Sequence, residues 1–311
     1  VKLTDVGPND GDSEQVRRRK LMSQPNAPRP GDVSPRERYT HGYGPAVEAD
    51  MAKRTAQSHA GFFLPVLQAG MSLLDCGCGP GSTTTDLAAL LAPGRVVGID
   101  LDPSQVAAAR SRAVNRGVTN VAFEVGNIYD LPFPDSSFDA VFGHTVVQHL
   151  REPLRALREM RRVLTPGGVI GLRDDDWGSV IIEPLTSPLE LAFSLYRRVW
   201  AHNGGDPVFA RKQRRMLREA GFVNVRASAS LESLATPEEI AAGAAYMVEH
   251  NQQPAFVQVV LDEGWADQAS LEATYADLRA WGRRDDALCV VVYCEAIGWK
   301  PDAGGSLDNT V

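Results

Sequence analysis

The chain has 311 residues, 43% of them apolar and 23% charged, which is enough to bury a sizeable core in one large domain or two small ones. A net charge of −7 gives no long-range attraction to phosphate backbones or anionic lipid, so neither nucleic acid nor a membrane is an expected partner. No run reaches the roughly 20 apolar residues of a membrane span, no apolar leader opens the chain, and four cysteines are too few for a disulfide scaffold, so a cytoplasmic protein with reduced thiols is expected.

Residues 1–35 are rich in Pro, Gly, Asp, Asn and Ser, lack a sustained apolar period, and predict a disordered arm. Its basic run, Arg17 to Lys20, reads as a solvated stretch or a contact for an anionic partner. Residues 36–70 predict an N-terminal helical lid, with helical spacing from Ala46 to Gln68 and Gly70 as its stop. Short apolar runs then alternate with helical patterns: SLLDC, TTTDLAALLA, RVVGIDL, PSQVAAARSRAVNRG, VAFEVG, FDAVFGH, EPLRALREMRRVL and GVIGLRD. That rhythm predicts βαβ units and a parallel sheet with helices on both faces.

After Trp177 the rhythm loosens through an apolar and aromatic stretch, and residues 177–206 read as an insertion. A helix (ARKQRRMLREAG) and a strand (VNVRASASL) follow, and residues 231–287 read as a second, helical insertion opening on the cap signal TPEE at Thr236. The chain then returns to a strand, ALCVVVYCEAIGW, before a tail at 301–311. The core is thus expected over 71–230 and 288–300.

LLDCGCGPG, at Leu73 to Gly81, carries the chemistry. A zinc site would need further Cys or His ligands nearby, and Cys289 and Cys294 lie far away beside an apolar strand with no His pair. A P-loop would need Lys where Ser82 and Thr83 follow Gly81. What remains is a strand ending at Asp75, glycines at 77, 79 and 81, and a helix whose first amides favour negative charge. Asp100, 19 residues beyond Gly81, ends the next strand where an acid can accept from both hydroxyls of a ribose.

DCGCGPG resembles motif I of the class I S-adenosylmethionine-dependent methyltransferases, GIDLDPSQVAAAR the second motif, GNIYDLPFPDSSFDAVF the third and fourth, and LREMRRVLTPGG the helix and turn before strand five. The resemblance covers about residues 40–226 and 288–299 and is nearest the small-molecule, ubiquinone/menaquinone-type branch. It implies an α/β, doubly wound, Rossmann-like seven-stranded sheet with an antiparallel last strand, here with a helical lid and insertions.

The resemblance also implies a site. Asp75, Gly77, Cys78, Gly79 and Gly81 would cradle the methionine moiety, Asp100 the ribose, and Leu101, Asn127 and Ile128 the adenine. Asn127 stands where many relatives have Asp, and its amide carbonyl can accept the same bond without a formal charge. Tyr43 and Arg54 are candidates for the carboxylate of the ligand, and Tyr39, His41, Gln148 and Trp177 for the acceptor side. His144, ending strand four, would present its carbonyl to the ligand and its side chain to the acceptor, or simply pack in the core. His149 reads as a packed residue, and Asp175 or Asp176 of RDDDWG as a base or as part of a solvated loop.

The expected reaction is methyl transfer from S-adenosylmethionine to a small, largely apolar acceptor, at O, N or C, releasing S-adenosylhomocysteine, with no metal. Secondary metabolism is a fitting setting. The alternatives are a cyclisation or rearrangement on the same fold, or a non-catalytic binding protein. The insertion helices could build the acceptor pocket or pack a homodimer.

Overall fold

A computed structural model describes Val47 and residues 51–302. Tyr39, His41 and Tyr43 lie outside these residues, as do the expected arm and most of the tail. The elements run α1 (Ala56–His59), β1 (Leu73–Cys76), α2 (Ser82–Leu91), β2 (Val96–Asp100), α3 (Pro103–Asn115), β3 (Val121–Val125) and β4 (Phe138–His144). They continue with α4 (Pro153–Val163), β5 (Leu164–Asp175), β6 (Ile181–Glu183), α5 (Ser187–His202) and α6 (Gln213–Glu219). The last are β7 (Val223–Leu234), α7 (Pro237–Asn251), α8 (Pro254–Asp262), α9 (Gln268–Trp281) and β8 (Leu288–Trp299).

The strand order is β3-β2-β1-β4-β5-β8-β6, with β7 paired to β8. β1 to β5 pair in parallel, and β8 runs antiparallel to both β5 and β7, so the last strand has the expected direction. Consecutive residues of β1 enter different cores. Leu73 packs with Phe63, Leu87 and Leu91, while Leu74 packs with Leu157, Met160 and Leu217. A strand covered on both faces needs an unbroken apolar run, which is why LL precedes Asp75. On α4 the steps Ala156, Leu157, Met160 and Val163 form one buried face, and each of the larger side chains contributes about 1.5–3 kcal/mol by leaving water.

Three expectations change. The helix expected from Ala46 to Gln68 is, among the described residues, broken into short pieces: residues 51–53, α1 and a 3-10 turn at Leu64–Val66. The breaks fall where Arg54 and Thr55 leave the helix for the α1 cap and where Pro65 supplies no N–H. The stretch after Trp177 is ordered as β6 and α5, whose start carries a Thr186 cap with Pro in the first turn. TSPLE is thus the same signal as TPEE, obscured by the neighbouring Pro184. β6 makes an eighth strand; because β7 already holds the other edge of β8 at Cys289 and Val290, β6 shares the edge used by β5.

Candidate functional site

The parallel strands bring Cys76, Asp100, His144 and Asp175 to one rim of the sheet, since Cys76 pairs with Ile99 and Gly143, and His144 with Arg173. The glycine turn is stitched to β2 by Gly77 and Cys78, whose amides both donate to the Ile99 carbonyl at 2.8 and 2.9 Å. Asp100 accepts from the Gly79 amide and the Asp102 amide at 2.9 Å each. The glycine amides are therefore engaged, and the amides that precede the first helical bond, from Thr85 to Gly81, are those of Ser82, Thr83 and Thr84.

The three glycines differ. All have positive φ (+74°, +51° and +72° at Gly77, Gly79 and Gly81), yet a Cβ would strike Val146 at 2.5 Å from Gly77 and Ala109 at 2.7 Å from Gly81. At Gly79 the nearest atom is Met51 Sδ at 3.7 Å, an ordinary contact, so a Cβ there meets no clash. The cysteines of this turn diverge: Cys76 belongs to the core under α4, whereas Cys78 packs against Val106, Ala109 and Phe123. Cys78 thus contributes packing to the turn, and all four thiols are unbridged.

Asp75 is buried and accepts from Thr84 Oγ1 at 2.6 Å. Burial pushes its pKa up to about 7 against that hydrogen bond, with the Asp100 charge adding to the rise. Asp100 is half-buried, and desolvation raises its pKa while the Asp102 and Gly79 amides oppose the rise. Beside it Leu101 is 55% exposed, an apolar side chain standing open at the rim. Asn127 is exposed and its carbonyl accepts from the Tyr129 amide at 3.0 Å, leaving a second lone pair; Ile128 packs on the core below.

Arg54 reaches this rim from the segment before α1, which is tied to α2 by Ser82 Oγ donating to Met51 O and by the Ala56 amide donating to Asp86. Its guanidinium donates to Thr145 Oγ1 at 3.2 Å and lies 3.4 Å from His144 Nδ1. Thr145 itself holds a positive φ of 49°, a strained backbone at the end of β4.

His144 is buried between two guanidiniums, with Nε2 2.9 Å from Arg173. Arg can only donate, and the shorter of the two guanidinium contacts makes Nε2 the acceptor, with the ring proton on Nδ1 facing Thr145 Oγ1 at 3.4 Å. Burial, with Arg54, Arg173 and His59, drives the imidazole pKa well below its ordinary value. Its one lone pair being engaged, the His144 side chain is a positioning group in this geometry. His149 is likewise held as a neutral, packed ring, stacked on Trp200 at 4.6 Å, with burial pulling its pKa down to about 3.

A row of polar side chains crosses four strands in register, His144, Arg173, Glu295 and Ser228, of which the sequence singles out only His144. Glu295 accepts from Ser228 and Ser230 at 2.7 Å each and lies 3.6 Å from the Arg173 guanidinium, which also sits 3.6 Å over the Tyr293 ring. The available signal is a charge within each of two apolar strands, Arg173 in GVIGLRD and Glu295 in VVVYCEAIGW.

The acids of RDDDWG separate. Asp176 is 2% exposed and clasped by Arg211 through two bonds of 2.6 and 2.7 Å, and it caps the Gly178 amide. It ties the loop after β5 to the turn at Ala210–Lys212 and is removed from the candidate bases. Asp176→Asn should lower stability by about 1–3 kcal/mol, read by urea unfolding, because the buried carboxylate of a half-exposed ion pair loses its charge. A loss near zero would show that the clasp is ornamental.

Asp174 turns the other way, accepts from Gln213 at 2.7 Å, and is pushed up to about 7 by burial. An unfolded Asp ionises near pH 4, so between about pH 4 and 7 the folded chain keeps protons that the unfolded chain releases. Stability therefore falls as pH rises through that window. Asp174→Asn should flatten the fall by on the order of 3 kcal/mol, measured as the difference in unfolding free energy between pH 5 and pH 8. An unchanged slope would contradict this.

Asp175 remains. It lies on the face of His144, pairs in register with Tyr293, and has a raised pKa from burial, opposed by the Gln148 amide, the Trp177 indole and Arg54. Tyr293 stacks at 6.3 Å on His144. Trp177 opens an apolar pocket of about 490 Å³, mouth included, with walls from α5 (Phe193), α7 (Met247), α9 (Trp281) and β8 (Cys289, Val291).

The methyltransferase-domain family model matches residues 74–172, from β1 through most of β5. An uncharacterized methyltransferase of Schizosaccharomyces pombe is 31% identical over 208 residues, covering 64% of this chain and 74% of the relative. The "probable methyltransferase ltbC" of Aspergillus luteorubrus is 29% identical over 291 residues, covering 84% of this chain and 97% of its own. Among solved structures, the YcgJ protein of Bacillus subtilis shares the fold with a TM-score of 0.54 at 19% identity, over 78% of this chain and 98% of that one. Strand order, glycine turn and the extent of these matches agree: the chain belongs to the class I S-adenosylmethionine-dependent methyltransferase family.

Proposed function

We propose that the protein transfers a methyl group from S-adenosylmethionine to a small, largely apolar organic acceptor held in the pocket beside Trp177. The residues present fit the cofactor. The Gly79 position is open to a ligand, the first amides of α2 precede the helical bonds, and Leu101 is exposed for a flat apolar partner. Asp75 with those amides would hold the two charged ends of the amino acid portion, Arg54 its carboxylate, and Asp100 the ribose hydroxyls. Gly77, Cys78 and Gly81 would shape the turn, Leu101, Asn127 and Ile128 would receive the adenine, and the His144 carbonyl would face the amino group.

Once bound, the sulfonium supplies an electrophilic methyl carbon. The chain's own task is alignment and, for a protonated acceptor, a base within reach. Asp175 is the base in this reading, Gln148 and Trp177 orient the acceptor, and His144 is held rigid by Arg173. The observation that carries the proposal is continuity: Asp175 pairs with Tyr293 at the rim, and two residues along the same strand face Val291 is already pocket wall.

Incubating the protein with methyl-labelled S-adenosylmethionine and a cell extract, followed by mass analysis, should yield a labelled apolar product. Products of altered mass without label would favour a cyclisation or rearrangement, and no change at all a binding protein.

A further inference from the structure

Three polar groups on the rim are buried without completed hydrogen bonds, and one of them, Trp177, also lines the pocket. Among the described residues, both amide atoms of Gln148, Oδ1 of Asp175 and Nε1 of Trp177 lack a partner at normal distance, at exposures of 1%, 9% and 9%. Gln148 and Trp177 both bear on the Asp175 carboxyl. Buried groups left in this state are costly, so a cluster of them next to a cavity marks a place completed by a ligand.

Their inventory restricts what the ligand can be. Asp175 Oδ1 and Gln148 Oε1 accept, while Gln148 Nε2 and Trp177 Nε1 donate. A carbonyl would leave the Asp175 acceptor unmet. An ammonium would meet it but would face two donors, with the guanidiniums of Arg54 and Arg173 flanking the same rim at His144. A hydroxyl both donates and accepts, and it carries no charge.

The spacing adds a shape. Asp175 stands opposite Tyr293, and Val291, on the same face of β8 two residues away, belongs to the pocket wall. Two strand residues span about 7 Å, the length of a fused bicyclic ring. The wall around it is apolar and includes four aromatic side chains, Trp177, Phe193, Tyr246 and Trp281.

We propose that Gln148, Asp175 and Trp177 form a hydroxyl-recognising subsite, and that the acceptor is a flat, apolar molecule bearing a phenol-type hydroxyl, which makes the reaction an O-methylation. The hydroxyl oxygen forms its new bond to the methyl carbon as the carbon–sulfur bond breaks, the bonding pair stays on sulfur, and the hydroxyl proton passes to Asp175. This deepens the methyltransferase reading and rests on it, but its binding test needs no cofactor.

Equilibrium dialysis of the full chain against 2-naphthol, naphthalene and 2-naphthylmethylammonium distinguishes the outcomes. 2-Naphthol should bind at least about 10-fold more tightly than naphthalene, because naphthalene leaves the buried polar groups unmet, and the ammonium should bind more weakly than the alcohol. In Gln148→Met/Asp175→Leu the preference for 2-naphthol should fall to near unity while naphthalene is still retained. If that variant does not fold, 2-methoxynaphthalene with the native chain takes its place, because its oxygen accepts but cannot donate, and it should bind about 10-fold more weakly than 2-naphthol. Equal binding of alcohol and hydrocarbon, stronger binding of the ammonium, a preference that survives the double variant, or equal binding of 2-methoxynaphthalene would each overturn the assignment. A chain that selects 2-naphthol but does not bind S-adenosylmethionine would instead sink the methyltransferase reading and leave the subsite standing.

Discussion

Asp100→Ala should weaken S-adenosylmethionine binding by about 100-fold in titration calorimetry, equivalent to about 2.7 kcal/mol. The magnitude is that of charge-assisted hydrogen bonds from ribose hydroxyls to a carboxylate held at the end of β2. Asp100 also has a structural task, because the amides of Gly79 and Asp102 donate to it, so alanine loosens the turn as well as removing the acceptor. Asp100→Asn separates the two. It keeps one carbonyl acceptor but loses the charge, and it should fall between alanine and the native residue. Undiminished binding in the alanine variant would remove Asp100, and with it the ligand assignment, from the site.

Gly79→Val and Gly81→Val, two residues apart in one turn, should fail in different ways. At Gly81 a Cβ meets Ala109 at 2.7 Å and Phe123 at 2.9 Å with φ at +72°, so backbone strain and overpacking add. A loss of about 3 kcal/mol is expected, lowering the melting temperature by roughly 5 °C in a chain of this size. At Gly79 only the positive φ of +51° opposes the change, with Met51 Sδ 3.7 Å away, so the fold should lose about 2 kcal/mol or less. Ligand binding should nevertheless be abolished there, because the new side chain occupies the open side of the turn. Thermal melts paired with calorimetry decide it; equal behaviour of the two variants would show that the glycines share one role.

Much of this is legible in the sequence. The alternation of apolar runs and helical patterns predicted the parallel sheet, and GCGPG between a strand and a helix predicted the backbone that β1 and α2 adopt, with Gly81 left-handed at the helix cap. α5 is less legible, because two prolines interrupt the rhythm around its start, although its cap signal is present. The site was less legible. Nothing near Asp176 in the sequence announces Arg211, 35 positions on, and nothing near His144 announces that Arg173 takes its lone pair. Charges inside apolar strands were the only hint of the Arg173–Glu295 row.

The sequence by itself determined what depends on a few neighbouring residues: the period of each element, the glycines that permit positive φ, the caps, and the placing of Asp75 and Asp100 at strand ends. Those features arise from local sterics and from which faces can be buried, and both are written in short windows. The tertiary structure decided which of three adjacent acids stays available, that His144 is neutral and held, and that side chains from 177 to 291 enclose one apolar pocket. Such outcomes depend on the path of the chain between distant segments, because a carboxylate or an imidazole takes its chemistry from whichever groups folding brings within a few ångströms.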